Sequence, residues 1–182
     1  MQADFERRLQ RLEDREEIRA LAARYTFMVD DRDIAGIEAL FAPDARFRSK
    51  DGVMDAKGRS AVMAQFDQRF AALGHGAHYS HDHVIWFDDR DPDKAFGRLS
   101  SHAELVRNGA PMVAALRYAD EYARIDGRWA FAERLLSFFY YLRADDYAAS
   151  FGALRRVKAY DRPQEADYPE ALESWRRYRE GA

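Results

Sequence analysis

Apolar residues in the first part of the chain recur at steps of three or four, with charged residues between them. This spacing predicts amphipathic helices. The predicted helices cover residues 5–29, 34–41 and 60–73. Pro43-Asp44 is expected to end the second helix, and Gly74 and Gly76 to end the third. Between them, residues 45–48 alternate as a short strand, and residues 52–58 indicate a turn and a brief return strand.

After Gly76 the pattern changes to alternation of apolar and polar residues, which is typical of strands. The predicted strands cover residues 78–87, 95–106, 112–125 and 128–142. Asn108-Gly109 and Asp126-Gly127 predict tight hairpin turns, because a two-residue loop needs positive φ and glycine adopts it without steric cost. In the second hairpin, one face of the first strand is predicted to carry Leu116, Tyr118, Asp120 and Tyr122. One face of the second strand is predicted to carry Trp129, Phe131 and Glu133.

Helices followed by a meander of long strands indicate an α+β fold. We expect a cone-shaped α+β barrel, with N-terminal helices packed on a curved, mainly antiparallel sheet that encloses a pocket. Residues 1–142 are predicted to form this cone. Residues 143–182 are predicted to be a C-terminal extension with a terminal helix over residues 168–178. The extension is expected to pack on the same domain or on a neighbouring subunit.

Composition narrows the function classes. The chain has 182 residues, no cysteine and a net charge of −3, so disulfides, a cysteine nucleophile and a basic surface for nucleic acid or membrane are not expected. The first residues carry no apolar core of a signal peptide, and a cytoplasmic location is expected. Aromatic residues make up 14% of the chain, which suits either a deep core or an apolar pocket.

Asp30 and His78 are the leading candidates for chemistry. Asp30 ends the first predicted helix, and His78 opens the first long strand. A carboxylate that orients an imidazole is sufficient for a general base near neutral pH. The structural alternative is that Asp30, Asp31 or Asp33 caps the second helix, and that His78 is a polar residue whose hydrogen-bonding groups have partners in the protein.

Tyr25 and Arg134 are weaker candidates. Tyr25 lies on the buried stripe of the first helix, where its hydroxyl could polarise a carbonyl or assist a leaving group, or where it could be a core residue. Arg134 could bind a substrate oxyanion, or it could pair with a neighbour such as Glu104.

His81 and His83 share one face of a regular strand, and His102 could join them as a metal ligand. No third ligand is evident, so no metal site is predicted. His78 has the opposite parity, so only one of these sets can face the pocket unless a bulge intervenes.

Three stretches resemble the SnoaL-like family of the nuclear transport factor 2-like superfamily. They are LEDREEIRALAARY (residues 12–25) with VDDR (29–32), HY (78–79) leading into VIWF (84–87), and the closing hairpin YADEYARIDGRWAFAER (118–134). The resemblance runs from about Phe5 to Leu142 and implies the cone fold. Because this superfamily hosts many activities, the fold alone does not give the chemistry.

Within that superfamily the chain looks most like the cofactor-free lyases scytalone dehydratase, hexachlorocyclohexane dehydrochlorinase and bile acid 7α-dehydratase. The resemblance implies a dyad at Asp30 and His78, a tyrosine at Tyr25 and a substrate-binding arginine at Arg134. The expected pocket wall consists of Phe47, Phe66, Phe70, Trp86, Leu116, Phe138 and Tyr140.

The resulting hypothesis is a dehydratase-type lyase without cofactor, acting on a small apolar cyclic substrate. An isomerase or polyketide cyclase with the same dyad is one alternative. A second is a non-catalytic protein, which binds a hydrophobic ligand or serves as an oxygenase subunit. That second alternative predicts a pocket filled by side chains and no Asp30–His78 contact. A homo-oligomer, a dimer or trimer, is expected.

Overall fold

The computed structural model describes residues 1–181. Its helices are α1 (Gln2–Asp31), α2 (Ile34–Ala39), α3 (Arg59–Ala72), α4 (Tyr147–Ser150) and α5 (Glu173–Glu180). Its strands are β1 (Phe41–Ser49), β2 (Asp55–Lys57), β3 (Leu73–Phe87), β4 (Lys94–Arg107), β5 (Ala110–Ile125) and β6 (Arg128–Arg143). A 3₁₀ turn, Ala144–Asp146, follows β6.

The six strands form one sheet in the order β2-β1-β6-β5-β4-β3. Only β1 and β6 run parallel, and every other neighbouring pair is antiparallel. Helices α1 and α3 pack on the sheet, so the predicted α+β cone is confirmed. The curved sheet is not closed, and the structure is therefore an open cone rather than a complete barrel.

Both predicted hairpin turns are present. Asn108 and Gly109 have φ values of 48° and 77°, and Asp126 and Gly127 have φ values of 50° and 78°. Positive φ at both central residues is the type I′ geometry, whose twist matches that of the flanking strands. These turns fix the register of β4 on β5 and of β5 on β6.

The first helix is longer than predicted, and its first turns lie outside the core. Phe5, Leu9 and Leu12 are 65%, 45% and 61% exposed, although the apolar spacing suggested that they would be buried. The buried stripe begins further along and includes Ile18 and Tyr25. The sheet therefore covers only the second half of α1.

The second helix ends earlier than predicted, because Phe41 belongs to β1. The carbonyl of Leu40 accepts a hydrogen bond from the backbone N–H of Phe131 at 2.8 Å. This bond docks the chain on β6, where Phe41 aligns with Phe131. The sheet contact overrides the helical spacing at this point.

The third strand also begins earlier than predicted, at Leu73. Leu73 has extended backbone angles and aligns with Arg107 of β4. His78 is therefore the sixth residue of β3 rather than its first, and Gly74 and Gly76 lie within the strand.

A bulge in β3 changes which side chains face the interior. Ser80 aligns with Ser101 and His83 with Leu99, so three steps on β3 oppose two on β4. An extra residue reverses the parity of a strand. As a result His78 and His83 both lie on the inner face.

Two further bulges interrupt β6. Glu133 aligns with Glu121, but Phe131 aligns with Tyr122, so the predicted inner face of Trp129, Phe131 and Glu133 is wrong at its last member. Arg134 takes the inner position opposite Asp120 instead. A second register shift, between Ala115 and Leu116, follows nearer the end of the strand.

The segment after β6 packs on the cone. The Arg156 side chain is buried and donates to the carbonyl of Phe139 at 2.7 Å and to the Glu170 carboxylate at 2.8 and 2.9 Å. The backbone N–H groups of Asp167 and Tyr168 both bond to the carbonyl of Phe138. Since these bonds hold residues 167 and 168 on β6, the terminal helix begins at Glu173 rather than at residue 168.

In residues 1–181, no helix is both long and apolar enough to cross a bilayer.

Candidate functional site

Asp30 and His78 form a two-point contact between α1 and β3. The Asp30 carboxylate accepts the backbone N–H of His78 at 2.8 Å and lies 2.5 Å from the ring atom Nδ1. The side chains of His78 and Asp30 are only 11% and 21% exposed. The aspartate thus fixes both the backbone position and the ring orientation of the histidine.

Arg32 holds the end of α1 against β3. It caps the helix in the left-handed conformation, with φ of 59°. Its guanidinium donates to the carbonyl of Val29 at 2.8 Å and to the carbonyls of Leu73 and Gly74, and it stacks over the Phe70 ring at 4.1 Å. These contacts locate Asp30 independently of its bond to His78.

The environment of His78 favours a neutral imidazole. Burial lowers the pKa of His78, the Asp30 contact opposes this in part, and the charges of Arg69 and Arg32 lower it further. An ionised carboxylate can only accept hydrogen bonds, so the ring proton lies on Nδ1. The Nε2 lone pair is then available, and among residues 1–181 it has no hydrogen-bond partner.

Arg134 lies in the core of the cone and pairs with a buried carboxylate, although its Nη1 makes no hydrogen bond. It donates two bonds of 2.9 Å to Asp120, and both side chains are completely buried. Burial opposes the guanidinium charge, but the Asp120 carboxylate outweighs burial and the pKa of Arg134 lies above its ordinary value. The structure gives Arg134 a structural partner, although the partner is Asp120 and not Glu104.

A chain of hydrogen bonds leads from this pair to His83. The Tyr122 hydroxyl donates to Asp120 at 2.9 Å and lies 3.1 Å from Nε2 of His83. Because Tyr122 uses its proton on Asp120, its oxygen accepts from His83, which places the His83 proton on Nε2. Burial lowers the pKa of His83 to about 4, so this imidazole is neutral as well.

Tyr25 lies beside Arg134 rather than beside His78. The guanidinium stacks over the Tyr25 ring at 4.2 Å, and Phe66 and Phe131 contact the other edges of the ring. Tyr25 is 2% exposed. Its catalytic role and the substrate-binding role of Arg134 stay predictions.

Most of the expected pocket wall lies on the inner side of the cone. Phe47 and Phe66 stack at 5.1 Å, and Phe70 packs against Phe66 at 5.7 Å. Leu116 and Phe138 align across β5 and β6 and are 4% and 6% exposed. These side chains pack closely together.

Two members of the expected wall are on the other side of the sheet. Trp86 is 43% exposed and stacks on Phe96 at 6.0 Å, because the β3 bulge turns its side chain outward. Tyr140 packs against Tyr147 and Phe151. The register shift of β6 opposite Ala115 and Leu116 turns the Tyr140 side chain outward. Both assignments to the pocket wall are wrong.

The three histidines of the considered metal site do not converge. His81 stacks on His102 at 6.2 Å on the outer face, whereas His83 faces inward on Tyr122. The expectation that His81 and His83 share a face is wrong, since the bulge separates them. No group of three potential ligand residues is close enough to hold a metal within residues 1–181.

A cavity of about 230 Å³ opens between α3, the start of β3, the ends of β4 and β6, and residues 159–160. His78 does not line it, but Leu73 of the same strand does. Two arginines, Arg69 and Arg107, line this cavity, and sequence reasoning did not single them out. A signal was present: Arg69 interrupts the apolar stripe of α3 and has no acidic residue at helical spacings of three or four.

A family model described as the SnoaL-like domain matches residues 10–135, which is more than half of the chain. The chain therefore belongs to the SnoaL-like domain family. No curated protein sequence matches it.

Similar solved structures include three with TM-scores of 0.67 or 0.68. A hexachlorocyclohexane dehydrochlorinase, LinA type 2, has a TM-score of 0.68 and 23% identity, covering 74% of this chain and 91% of its own. A Novosphingobium aromaticivorans protein provisionally named a scytalone dehydratase has a TM-score of 0.67 and 18% identity, with coverages of 85% and 97%. A protein of the same organism, provisionally named an aromatic ring hydroxylase, has a TM-score of 0.67 and 26% identity, with coverages of 75% and 97%. The first two establish the fold.

Proposed function

We propose that the chain is a cofactor-independent lyase that carries out a dehydratase-type elimination on a small apolar cyclic substrate. The observation that carries the proposal is the double contact of the Asp30 carboxylate with the ring and the backbone of His78. It leaves Nε2 unprotonated and oriented, which is the state that a general base requires.

In the proposed reaction, Nε2 of His78 takes a proton from a carbon of the substrate. The C–H electron pair becomes the new C=C bond, and the hydroxyl on the adjacent carbon leaves with its bonding pair. The imidazolium then returns its proton to the departing oxygen, so that water is released and His78 is neutral again. Asp30 stabilises the imidazolium while it exists.

The names of two structural neighbours, a dehydrochlorinase and a provisional scytalone dehydratase, support an elimination. An isomerase would use the same base and return the proton to another carbon of the substrate. A non-catalytic role is the second candidate, since the aromatic side chains of the cone pack closely and one neighbour carries the name of an aromatic ring hydroxylase.

The proposal is tested with a panel of cyclic β-hydroxy and β-halo carbonyl compounds in D₂O, followed by NMR. Loss of the hydroxyl or halide indicates elimination, whereas a shifted double bond alone indicates isomerisation. We expect His78→Ala to lower the rate by about 10²–10⁴-fold. Asp30→Asn should also lower it. His102→Ala, on the outer face, is the matched control.

Turnover by His78→Ala within a few-fold of wild type would show that this histidine is not the base. Unchanged compounds throughout the panel, together with saturable binding of them, would favour the non-catalytic candidate.

A further inference from the structure

The cavity lined by Arg69 and Arg107 has the composition of a site for an anionic ligand. Its wall carries two cations and, among residues 1–181, no carboxylate. The rest of the wall is apolar or neutral and consists of Val53, Met54, Gln65, Gln68, Ala72, Leu73, Phe138, Tyr141, Ala159 and Tyr160. Such a wall suits a ligand with a negatively charged end and an apolar body.

The two arginines differ from Arg134, Arg124 and Arg156, each of which has a carboxylate partner. Arg134 pairs with Asp120, Arg124 with Asp14 and Arg156 with Glu170, each at 2.9 Å or less. Arg69 and Arg107 make no salt bridge to any residue in the range 1–181. Enclosed arginine charges are ordinarily paired, so this departure requires an explanation.

Both arginines also carry a buried N–H group without a partner. These groups are Nη1 of Arg69 and Nε of Arg107. A buried donor that makes no hydrogen bond destabilises the folded state. A carboxylate in the cavity could accept a hydrogen bond from each arginine, one on each oxygen, and its negative charge would offset one of the two positive charges.

The protein holds the two guanidinium groups in place from different elements. Arg69 stacks over the rings of Phe47 and Phe66 at 5.5 and 5.7 Å. Arg107 ends β4, aligned with Leu73 at the start of β3. The two side chains converge on one space, because both line the same cavity together with Tyr141.

The cavity is also electrostatically connected to the proposed base. The Arg69 charge acts on His78, where it opposes protonation of the imidazole. Packing links the two as well, because the Phe66 ring under Arg69 contacts Phe70, on which Arg32 stacks at the end of α1. The cavity volume of about 230 Å³ is below the roughly 300–1,000 Å³ of pockets for drug-sized ligands, so it accommodates a small acid or the acidic end of a larger one.

We propose that Arg69 and Arg107 bind the carboxylate of an apolar organic acid, and that this acid is the substrate class of the His78 site. The second half of this statement rests on the proposed function, whereas the binding half does not. A planar guanidinium matches the two oxygens of a carboxylate, and the apolar wall accommodates the hydrocarbon part.

The test uses 2-naphthoate and its neutral counterpart, 2-naphthalenemethanol, in calorimetric titrations of the full chain. We expect saturable binding of the acid and at least about tenfold weaker binding of the alcohol. Arg69→Gln and Arg107→Gln should each weaken acid binding by about 10- to 100-fold, as expected for the loss of a hydrogen bond between charged groups. Arg98→Gln, exposed on the outer face of β4, is the matched control and should bind normally.

Thermal melting of each variant checks its folding, and Arg107→Gln keeps the test valid if the loss of Arg69 from its aromatic stack unfolds the chain. Equal affinity for acid and alcohol, unchanged affinity in a folded Arg107→Gln variant, or no acid binding at millimolar concentration would overturn the proposal. Inorganic phosphate that competes fully with the acid at equal concentration would also contradict it, since the site would then select charge alone.

The same titration separates this proposal from the catalytic one. His78→Ala should bind 2-naphthoate as the wild type does. If the acid binds but His78→Ala leaves every elimination rate unchanged, the proposed base is wrong and the anion site stands. If His78→Ala abolishes elimination but the arginine variants bind acid normally, the anion site is wrong and the base stands.

Discussion

Replacing Asp120 with Asn should destabilise the protein by about 3–5 kcal/mol, because it leaves a charged arginine unpaired in the core. Both side chains of the Asp120–Arg134 pair are fully buried, and two bonds of 2.9 Å join them. Nη1 of Arg134 already has no partner, so the asparagine would leave the guanidinium with one neutral acceptor in place of two charged ones. A guanidinium cannot regain neutrality by losing its proton.

The predicted loss of stability is best compared with the loss from breaking a more exposed ion pair in the same sheet. Glu133, the residue before Arg134 in β6, lies on the outer face and accepts a hydrogen bond from Arg48 at 2.6 Å, and the side chains of Glu133 and Arg48 are 22% and 32% exposed. Glu133→Gln should cost below about 1 kcal/mol, because solvent screens a partly exposed pair. Both substitutions replace a carboxylate with an amide, at adjacent positions of the β5–β6 pairing. The difference between the two losses of unfolding free energy therefore measures the effect of burial.

Arg134→Met provides a test with a defined sign. The stranded Asp120 carboxylate can regain neutrality by taking up a proton, so the folded variant binds more protons than the unfolded chain does. Stability of this variant must then fall as pH rises, by at most about 1.4 kcal/mol per pH unit for one extra proton. The deficit of Asp120→Asn should stay constant over the same range.

Urea unfolding followed by tryptophan fluorescence, to which the buried Trp129 contributes, measures all three variants between about pH 5 and pH 8. If Asp120→Asn unfolds within 1 kcal/mol of wild type, or if Glu133→Gln costs as much, the ion pair does not hold the core as described.

Three other outcomes are expected. Gly97→Ala should cost about 1–3 kcal/mol, since its Cβ would lie 2.9 Å from the Tyr122 ring, while Gly152→Ala, with no atom within 4 Å, should be nearly neutral in the same unfolding assay. In an NMR titration, the pKa of His78 should lie below the ordinary imidazole value of about 6.5, and Asp30→Asn should lower it further; a higher pKa in that variant would contradict the geometry. Because the pKa of His83 is depressed to about 4, the free energy of unfolding should decline as pH falls from about 6.5 to about 4, and His83→Gln should reduce that slope.

Local chemistry made much of this fold predictable. Asn108-Gly109 and Asp126-Gly127 specify their turns through backbone geometry alone, and the change from helical spacing to alternation separates the helices from the sheet. The end of α2 was not predictable in this way, because a long-range bond from Phe131 to Leu40 decides it.

Face assignments failed wherever a strand contained an extra residue. Alternation places Glu133 inside and Arg134 outside, and the observed register reverses this near the β6 bulge. A bulge has no reliable signature in a single sequence, since it depends on how two strands fit together.

The pairing of Asp30 with His78 was anticipated from residue types and family resemblance, and the structure brings the two together; the role of the pair stays a prediction. Arg69 and Arg107 were not singled out, because an arginine on a helix or at the end of a strand is ordinary in a sequence. Only tertiary packing reveals that neither has a counter-charge.

The β3 bulge has a consequence for comparing members of this family. Between Gly76 and Ser80, and again from His83 onward, inward and outward positions alternate regularly but with opposite parity. A homologue with one residue fewer between Ser80 and His83 would therefore exchange inward and outward positions on one side of this interval. An ungapped alignment through the bulge would then equate His83 or Ile85 with solvent-facing residues. Functional residues should be transferred between homologues in two separately aligned blocks, one ending at Ser80 and one starting at His83.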